Sequence, residues 1–147
     1  MPVATAKLVE QFETTYVEHM QGLPVVNAAL CVEAVGFQAF DGHQLGVLIT
    51  PWFMNLVLLP GADDWAGSAQ GDTSSISFPS GPIEFVCSHD PELGTYLSAV
   101  LFRNVLDVED QRTARRLANE IMNNLMQPPR GQRAISRRDL LTGLRTS

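Results

Sequence analysis

Three histidines, two cysteines and a single lysine, Lys7, are the side chains of this 147-residue chain with the widest chemical reach. Their spacing gives them little to work with. His19, His43 and His89 stand far apart, and no two are placed to share one helix face around a metal. His19 falls near the end of a predicted helix, where a cation is favoured by the helix dipole. His43 follows an Asp-Gly turn. His89 with Asp90 and Glu92 is the densest set of potential metal ligands, but it flanks Pro91 in a stretch that reads as loop. Cys31 and Cys87 lie in separate apolar segments and form no Cys-x-x-Cys, which removes the zinc-ribbon, rubredoxin and thioredoxin arrangements. Each reads as a reduced, buried structural cysteine, although a disulfide between them stays open. A Schiff-base enzyme would have to use Lys7, on the first predicted helix. There is no Gly-x-Ser-x-Gly, Walker loop, Gly-x-Gly-x-x-Gly or His-Glu-x-x-His. The expectation is no catalytic residue, no metal and no cofactor, and a protein that binds.

The binding candidate is a run without charge. From Gln44 to Ala62 there is no Asp, Glu, Lys, Arg or His. Pro51 breaks this run and Pro60-Gly61 closes it, so each half is strand-sized rather than long enough to span a membrane. No basic cluster flanks it either, and stable membrane insertion is not expected. The reading is strand, bend, strand, with Pro51, Trp52, Phe53, Met54 and Asn55 at the bend. Bends are ordinarily polar and exposed, whereas Trp, Phe and Met are enriched at protein-protein anchors. These five residues are therefore the candidate client-binding set. The competing role of the large apolar side chains is core filling, and that of Asn55 is to shape the bend.

The elements that must position this corner follow from periodicity. Residues 5–20 read as an amphipathic helix with Leu8, Phe12, Tyr16 and Met20 in one stripe, stopped by Gly22-Leu23-Pro24. Strands are expected at 30–40, 44–50, 55–59, 75–78, 83–87 and 95–102. Asp41-Gly42 makes a tight hairpin of the first two, and Pro79-Ser80-Gly81-Pro82 a turn between the fourth and fifth. Residues 60–75 read as a long loop pinned by Trp65. A second helix is expected from an N-cap at Asp107 to about Met126, with Ala114, Leu117, Ala118, Ile121, Met122 and Leu125 inward. Pro128-Pro129 ends it. The fold expected is α+β: a mostly antiparallel sheet of five or six strands with both helices on one face, residues 1–129, followed by a basic tail, residues 130–147.

Charge divides along the same boundary. Net charge is −6, yet residues 1–102 carry −10 and residues 130–147 carry +4. An acidic body argues against nucleic acid as partner, and a basic segment of this kind usually makes contacts. Ser136-Arg137-Arg138-Asp139-Leu140-Leu141 is similar to the twin-arginine export pattern, but it lies too late in the chain to act as an address. Arg137, Arg138, Leu140 and Leu141 are the candidate regulatory or partner-binding residues of this tail. Met1 to Lys7 have no long apolar core, so a secretory signal is not expected and the cytoplasm is the expected compartment.

Five blocks taken in order resemble one known family. They are Gly22 to Asn27, Val32 to Phe37, Leu45 to Pro60 with Thr50-Pro51-Trp52-Phe53-Met54-Asn55 inside it, Phe78 to Gly81, and Ser136 to Leu141. Together they are similar to the HybE/HupJ accessory proteins of nickel-iron hydrogenase maturation. Leu140 departs from the twin-arginine pattern, which prefers Phe there, and the rubredoxin module that accompanies some of these proteins is absent from the sequence. The resemblance implies an assembly chaperone rather than an enzyme. It would hold a hydrogenase subunit precursor, the twin-arginine-bearing small subunit before the large one, and meet other maturation proteins. The other classes it leaves are a redox or enzymatic maturation factor using a cysteine, and a scaffold bridging maturation proteins.

Overall fold

Strand order follows from two local meanders joined by one seam. A computed structural model describes residues 3–59, 69–90 and 94–128. The elements are α1 (Val3–Thr15), β1 (Glu33–Phe40), β2 (His43–Ile49), β3 (Met54–Leu59), β4 (Thr73–Phe78), β5 (Gly81–Asp90), β6 (Gly94–Phe102) and α2 (Gln111–Leu125). The sheet runs β1-β2-β3-β6-β5-β4, and every neighbouring pair is antiparallel. Thus β1-β2-β3 and β4-β5-β6 are each hairpin-linked, and β3 pairing with β6 is the seam. Asp41 and Gly42 both take positive φ, 50° and 83°, which gives the first hairpin the twist its strands need.

The charge-free run is explained by position. β2 and β3 lie inside the sheet and are covered on both sides, so neither can tolerate the polar alternation of a half-exposed strand. Leu45, Val47, Ile49, Leu56 and Leu58 face one way, into a core shared with Phe85, Cys87 and Leu97 of β5 and β6 and with Ala114, Ala118, Met122 and Leu125 of α2. Leu48, Val57 and Leu59 face the other way and pack with Leu8, Val9 and Phe12 of α1 and with Tyr96. The expectation of both helices on one face is therefore corrected. Two strands with large apolar side chains on both faces require a cover on each, and α1 and α2 supply one each.

The α2 side is also the hollow side. Phe40 ends β1 and Phe78 ends β4, at opposite edges of the sheet, yet their rings stack with centroids 4.8 Å apart. The sheet curls far enough for side chains from its two edge strands to meet over the core. On the α1 side, β1 carries a bulge. Val35 pairs with Val47 and Gln38 with Leu45, so Gly36 and Phe37 both stand opposite Gly46. Gly36 takes φ +69° and the Phe37 ring settles onto the bare backbone of Gly46.

Helix α2 begins at Gln111, four residues later than its expected cap at Asp107. Asp110 is the true N-cap, its Oδ1 accepting from the Thr113 N–H at 2.8 Å. That bond holds the Asp110 carboxyl below the ordinary aspartate range, with help from Arg112 and Arg116. A depressed folded pKa gives stability that is full above the ordinary aspartate value and is lost as pH falls through the lower, folded one. Asp110→Asn, which keeps a capping oxygen but does not titrate, should therefore flatten the acid limb of a pH-dependent melting curve without moving the neutral limb much. An unchanged acid limb would show that Asp110 has no part in it.

Trp65 and the 130–147 tail, including Arg137, Arg138, Leu140 and Leu141, lie outside the described residues. Within them, no helix is long and apolar enough to cross a membrane.

Candidate functional site

The corner between β2 and β3 is built by one hydroxyl. Thr50 is fully buried; its Oγ1 accepts from the Trp52 and Phe53 N–H groups at 3.2 and 2.9 Å and lies 3.0 Å from the Phe53 carbonyl. Its own N–H donates to the Phe53 carbonyl at 2.9 Å. This closes a tight bend at Pro51-Trp52-Phe53. Met54 and Asn55, expected within the bend, instead open β3, where they pair with Ile49 and Leu48.

The five expected contact residues therefore have unequal access. Met54 is 0% exposed and belongs to the α2-side core. Pro51 is buried, and Asn55 is half-buried with its Oδ1 lacking a hydrogen-bond partner among the described residues. Trp52 and Phe53 are half-buried, with Phe12 of α1 and Tyr16 just past its end against them. Phe53 meets the Phe12 ring edge to face at 5.7 Å, and Trp52 stacks on Tyr16, centroids 6.1 Å apart and planes 9° from parallel. The aromatic corner is first of all the seat of α1.

Beside it lies a groove. Past Thr15 the first helix widens into a π-helical turn, Tyr16–Met20, closed by the Gln21 N–H donating to the Tyr16 carbonyl at 2.7 Å. That turn, the corner and residues 30–32 enclose about 280 Å³ lined by Glu13, Tyr16, Val17, Leu30, Cys31, Val32 and Pro51. Val17 is 65% exposed at its mouth. Leu23, Val25 and Leu106 are exposed on neighbouring backbone, so four of the six large apolar side chains left exposed among the described residues gather at this end. Glu13 lines the groove, with Glu10 three residues before it in α1 and Glu18 five residues after it in the π-helical turn.

The wall at 30–32 is held from a distance. Strand β1 starts only at Glu33, so these residues have no ladder partner. The Cys31 N–H donates to Gln111 Oε1 at 2.9 Å, and Gln111 Nε2 and Arg115 Nε reach the Glu33 carboxylate at 2.7 and 2.9 Å. Asn27 ties the segment before it. Its Nδ2 donates to the Val105 and Val108 carbonyls at 2.9 and 2.7 Å, its Oδ1 accepts from the Ala29 N–H, and its own N–H donates to the Pro51 carbonyl at 2.7 Å. The neighbouring blocks 22–27 and 32–37 meet the block 50–55 here. Nothing in the sequence announces the groove, because Leu30 to Val32 read as strand and no local signal marks them as a wall.

Cys31 is exposed at the groove and Cys87 is buried in the core, both as free thiols. Desolvation, with Glu33 adding to it, raises the Cys31 thiol above its ordinary value, so it is protonated and weakly nucleophilic at neutral pH. His89 Nδ1 sits 2.7 Å from Thr95 Oγ1. No group of three or more His, Cys, Asp or Glu that could hold a metal occurs among the described residues, and Glu92 lies outside them.

Similarity to known proteins bears on the whole chain. It is 42% identical over 123 residues to the hydrogenase expression/formation protein HupJ of Bradyrhizobium diazoefficiens, across 84% of this chain and 72% of that one. It is 40% identical over 119 residues to a protein of Rhodobacter capsulatus described as "Probable rubredoxin HupJ", across 80% of this chain but only 43% of that longer relative. The solution structure of HybE from Escherichia coli superposes with a TM-score of 0.69 at 22% identity, covering 84% of this chain and 76% of that one, and shows the same fold. The family model described as "[NiFe]-hydrogenase assembly, chaperone, HybE" matches residues 3–143. The chain belongs to the HybE family of nickel-iron hydrogenase assembly chaperones.

Proposed function

We propose that this chain holds a hydrogenase subunit precursor, in the first place the small subunit with its twin-arginine signal, by receiving that signal in the groove between the π-helical turn and the β2–β3 corner. The observation that carries the reading is the pairing of an apolar groove with an acidic flank. A twin-arginine segment has the complementary order: two guanidinium groups, then apolar residues. Glu13 and Glu10 would meet the arginines by charge-assisted hydrogen bonds, and Tyr16, Val17, Leu30 and Pro51 would take the apolar side chains. Trp52 and Phe53 act through the seat they give Tyr16 and Phe12. Each apolar side chain seated contributes roughly 1.5–3 kcal/mol before the ordering cost of the peptide. That suits a complex that must later release its client. The chain works in the cytoplasm, before export, beside other maturation proteins, and no catalytic step is assigned to it.

Calorimetry with a synthetic small-subunit signal peptide tests this, at low and high salt. Binding should weaken with salt, because the arginine contacts are screened. Val17→Asp should lower affinity at least about tenfold, or about 1.4 kcal/mol, while leaving the melting temperature near that of the parent, since Val17 is exposed. Absence of binding at either salt would sink the signal-peptide reading and move the client to the large subunit or to the assembled enzyme. Binding that ignores Val17→Asp would move the site away from the groove.

A further inference from the structure

We infer that the groove has an occupant within the same chain: the segment Arg137-Arg138-Asp139-Leu140-Leu141. This rests on the reading of the groove as a site for a basic-then-apolar peptide, and adds its regulation. The segment has the same chemical order as the proposed client, two guanidinium groups followed by two leucines one residue on, within a stretch of net charge +4. The body, with −10 over residues 1–102, offers the opposite sign. Glu33 is already held by Arg115 and Gln111, and Glu18 has His19 within 3.8 Å. Glu13, on the groove wall, and Glu10 are the carboxylates left to receive the arginines.

Reach permits it. Helix α2 starts beside the groove, where Gln111 bonds Cys31, and ends at the β4–β5 turn, where the Leu125 carbonyl accepts from the Ser80 N–H at 3.2 Å. Its 15 residues make a rod of roughly 22 Å. The stretch from Leu125 to Arg137 can extend to about 40 Å, enough to return along α2 with slack. A return along α2 would meet the like charge of Arg112 and Arg116, so the seat depends on the groove and the Glu13 side.

A tethered segment has an effective concentration of the order of 1 mM. If the free segment binds with a dissociation constant of roughly 100 μM, the groove is closed about ten times as often as it is open. A client must overcome that same factor, which sets a threshold against weak, incorrect peptides.

The experiment uses the full chain with Arg137→Glu, Arg138→Glu and Leu140→Asp together. The substituted chain should bind the small-subunit signal peptide about tenfold more tightly than the parent. The Val17 methyl resonances should shift between the two chains with no client present. A synthetic peptide of residues 133–147 added to the substituted chain should return those resonances toward their parent positions. Unchanged Val17 resonances overturn the inference whether or not any client binds. Equal client affinity in the two chains, with binding still lost in Val17→Asp, overturns it while leaving the groove reading intact. A resonance shift that grows with chain concentration overturns the intrachain form in favour of exchange between copies.

Discussion

Gly46→Ala should destabilise the protein by about 1–3 kcal/mol, the range for forcing atoms into a filled core. A Cβ on Gly46 would lie 2.3 Å from Phe37 Cδ1, 2.4 Å from Cγ and 2.7 Å from Cε1. No ring rotation relieves three contacts of that kind, so the whole ring must leave. Phe37 packs against the α1-side core with Leu8, Leu48 and Val57, and its departure also loosens the seat of α1. The cost is one of contact alone. Gly22, Gly36, Gly42, Gly71, Gly81 and Gly94 take positive φ, and Gly46 does not. Backbone strain therefore has no part in the result. Phe37→Leu in the Gly46→Ala background should cost less than Phe37→Leu in the parent, a coupling of roughly 0.5–3 kcal/mol between touching residues. Denaturant unfolding of the four chains reads it. Additive losses would mean that the ring does not sit on Gly46.

Asn27→Ala should cost about 2–4 kcal/mol and weaken client binding together. One side-chain amide serves three hydrogen-bonding groups near the groove, the Val105 and Val108 carbonyls and the Ala29 N–H. Removing it leaves the Val105 and Val108 carbonyls and the Ala29 N–H without that partner, and each lost bond is worth roughly 0.5–1.5 kcal/mol with more where a buried group stays unpaired. Asn27→Asp separates this account from simple loss of packing. Its size is conserved and the Ala29 bond can persist, but a carboxylate would face two carbonyl oxygens. It should be at least as destabilising as Asn27→Ala at neutral pH. It should recover part of the loss in acid, where a protonated carboxyl can donate to one carbonyl. An Asn27→Asp chain as stable as the parent at neutral pH would show that the two carbonyl bonds do not hold the segment.

Much of this architecture is legible along the sequence, and the rest fails for identifiable reasons. Asp41-Gly42 fixes a turn that local chemistry alone dictates. The α1 stripe of Leu8, Phe12 and Tyr16 and the α2 stripe of Ala114, Ala118, Met122 and Leu125 are equally local. The start of α2 is ambiguous in the sequence because Asp107, Glu109 and Asp110 all have cap-competent or first-turn chemistry, and only the Thr113 bond selects among them. The charge-free run holds the information about the two faces: a strand with large apolar side chains on both faces needs cover on both. The same apolar breadth also suits a binding surface, which is why Met54 stands in the candidate set although it is core. The groove depends on Cys31 meeting Gln111 and on Asn27 meeting Val105, contacts across about eighty residues that no periodicity announces.

That distance has a consequence for synthesis. Residues 3–59 contain every lining residue of the groove, so all of them leave the ribosome before Val105 and Gln111 do. The wall at 30–32 stays loose until Gln111 and the Val105–Val108 turn emerge and the second meander has zipped onto β3. Long-range closures of this kind come late in folding. If the groove receives basic, apolar peptides as proposed, a nascent copy has no finished receptor for those made around it, and capture of a client would certify that the chaperone itself is complete.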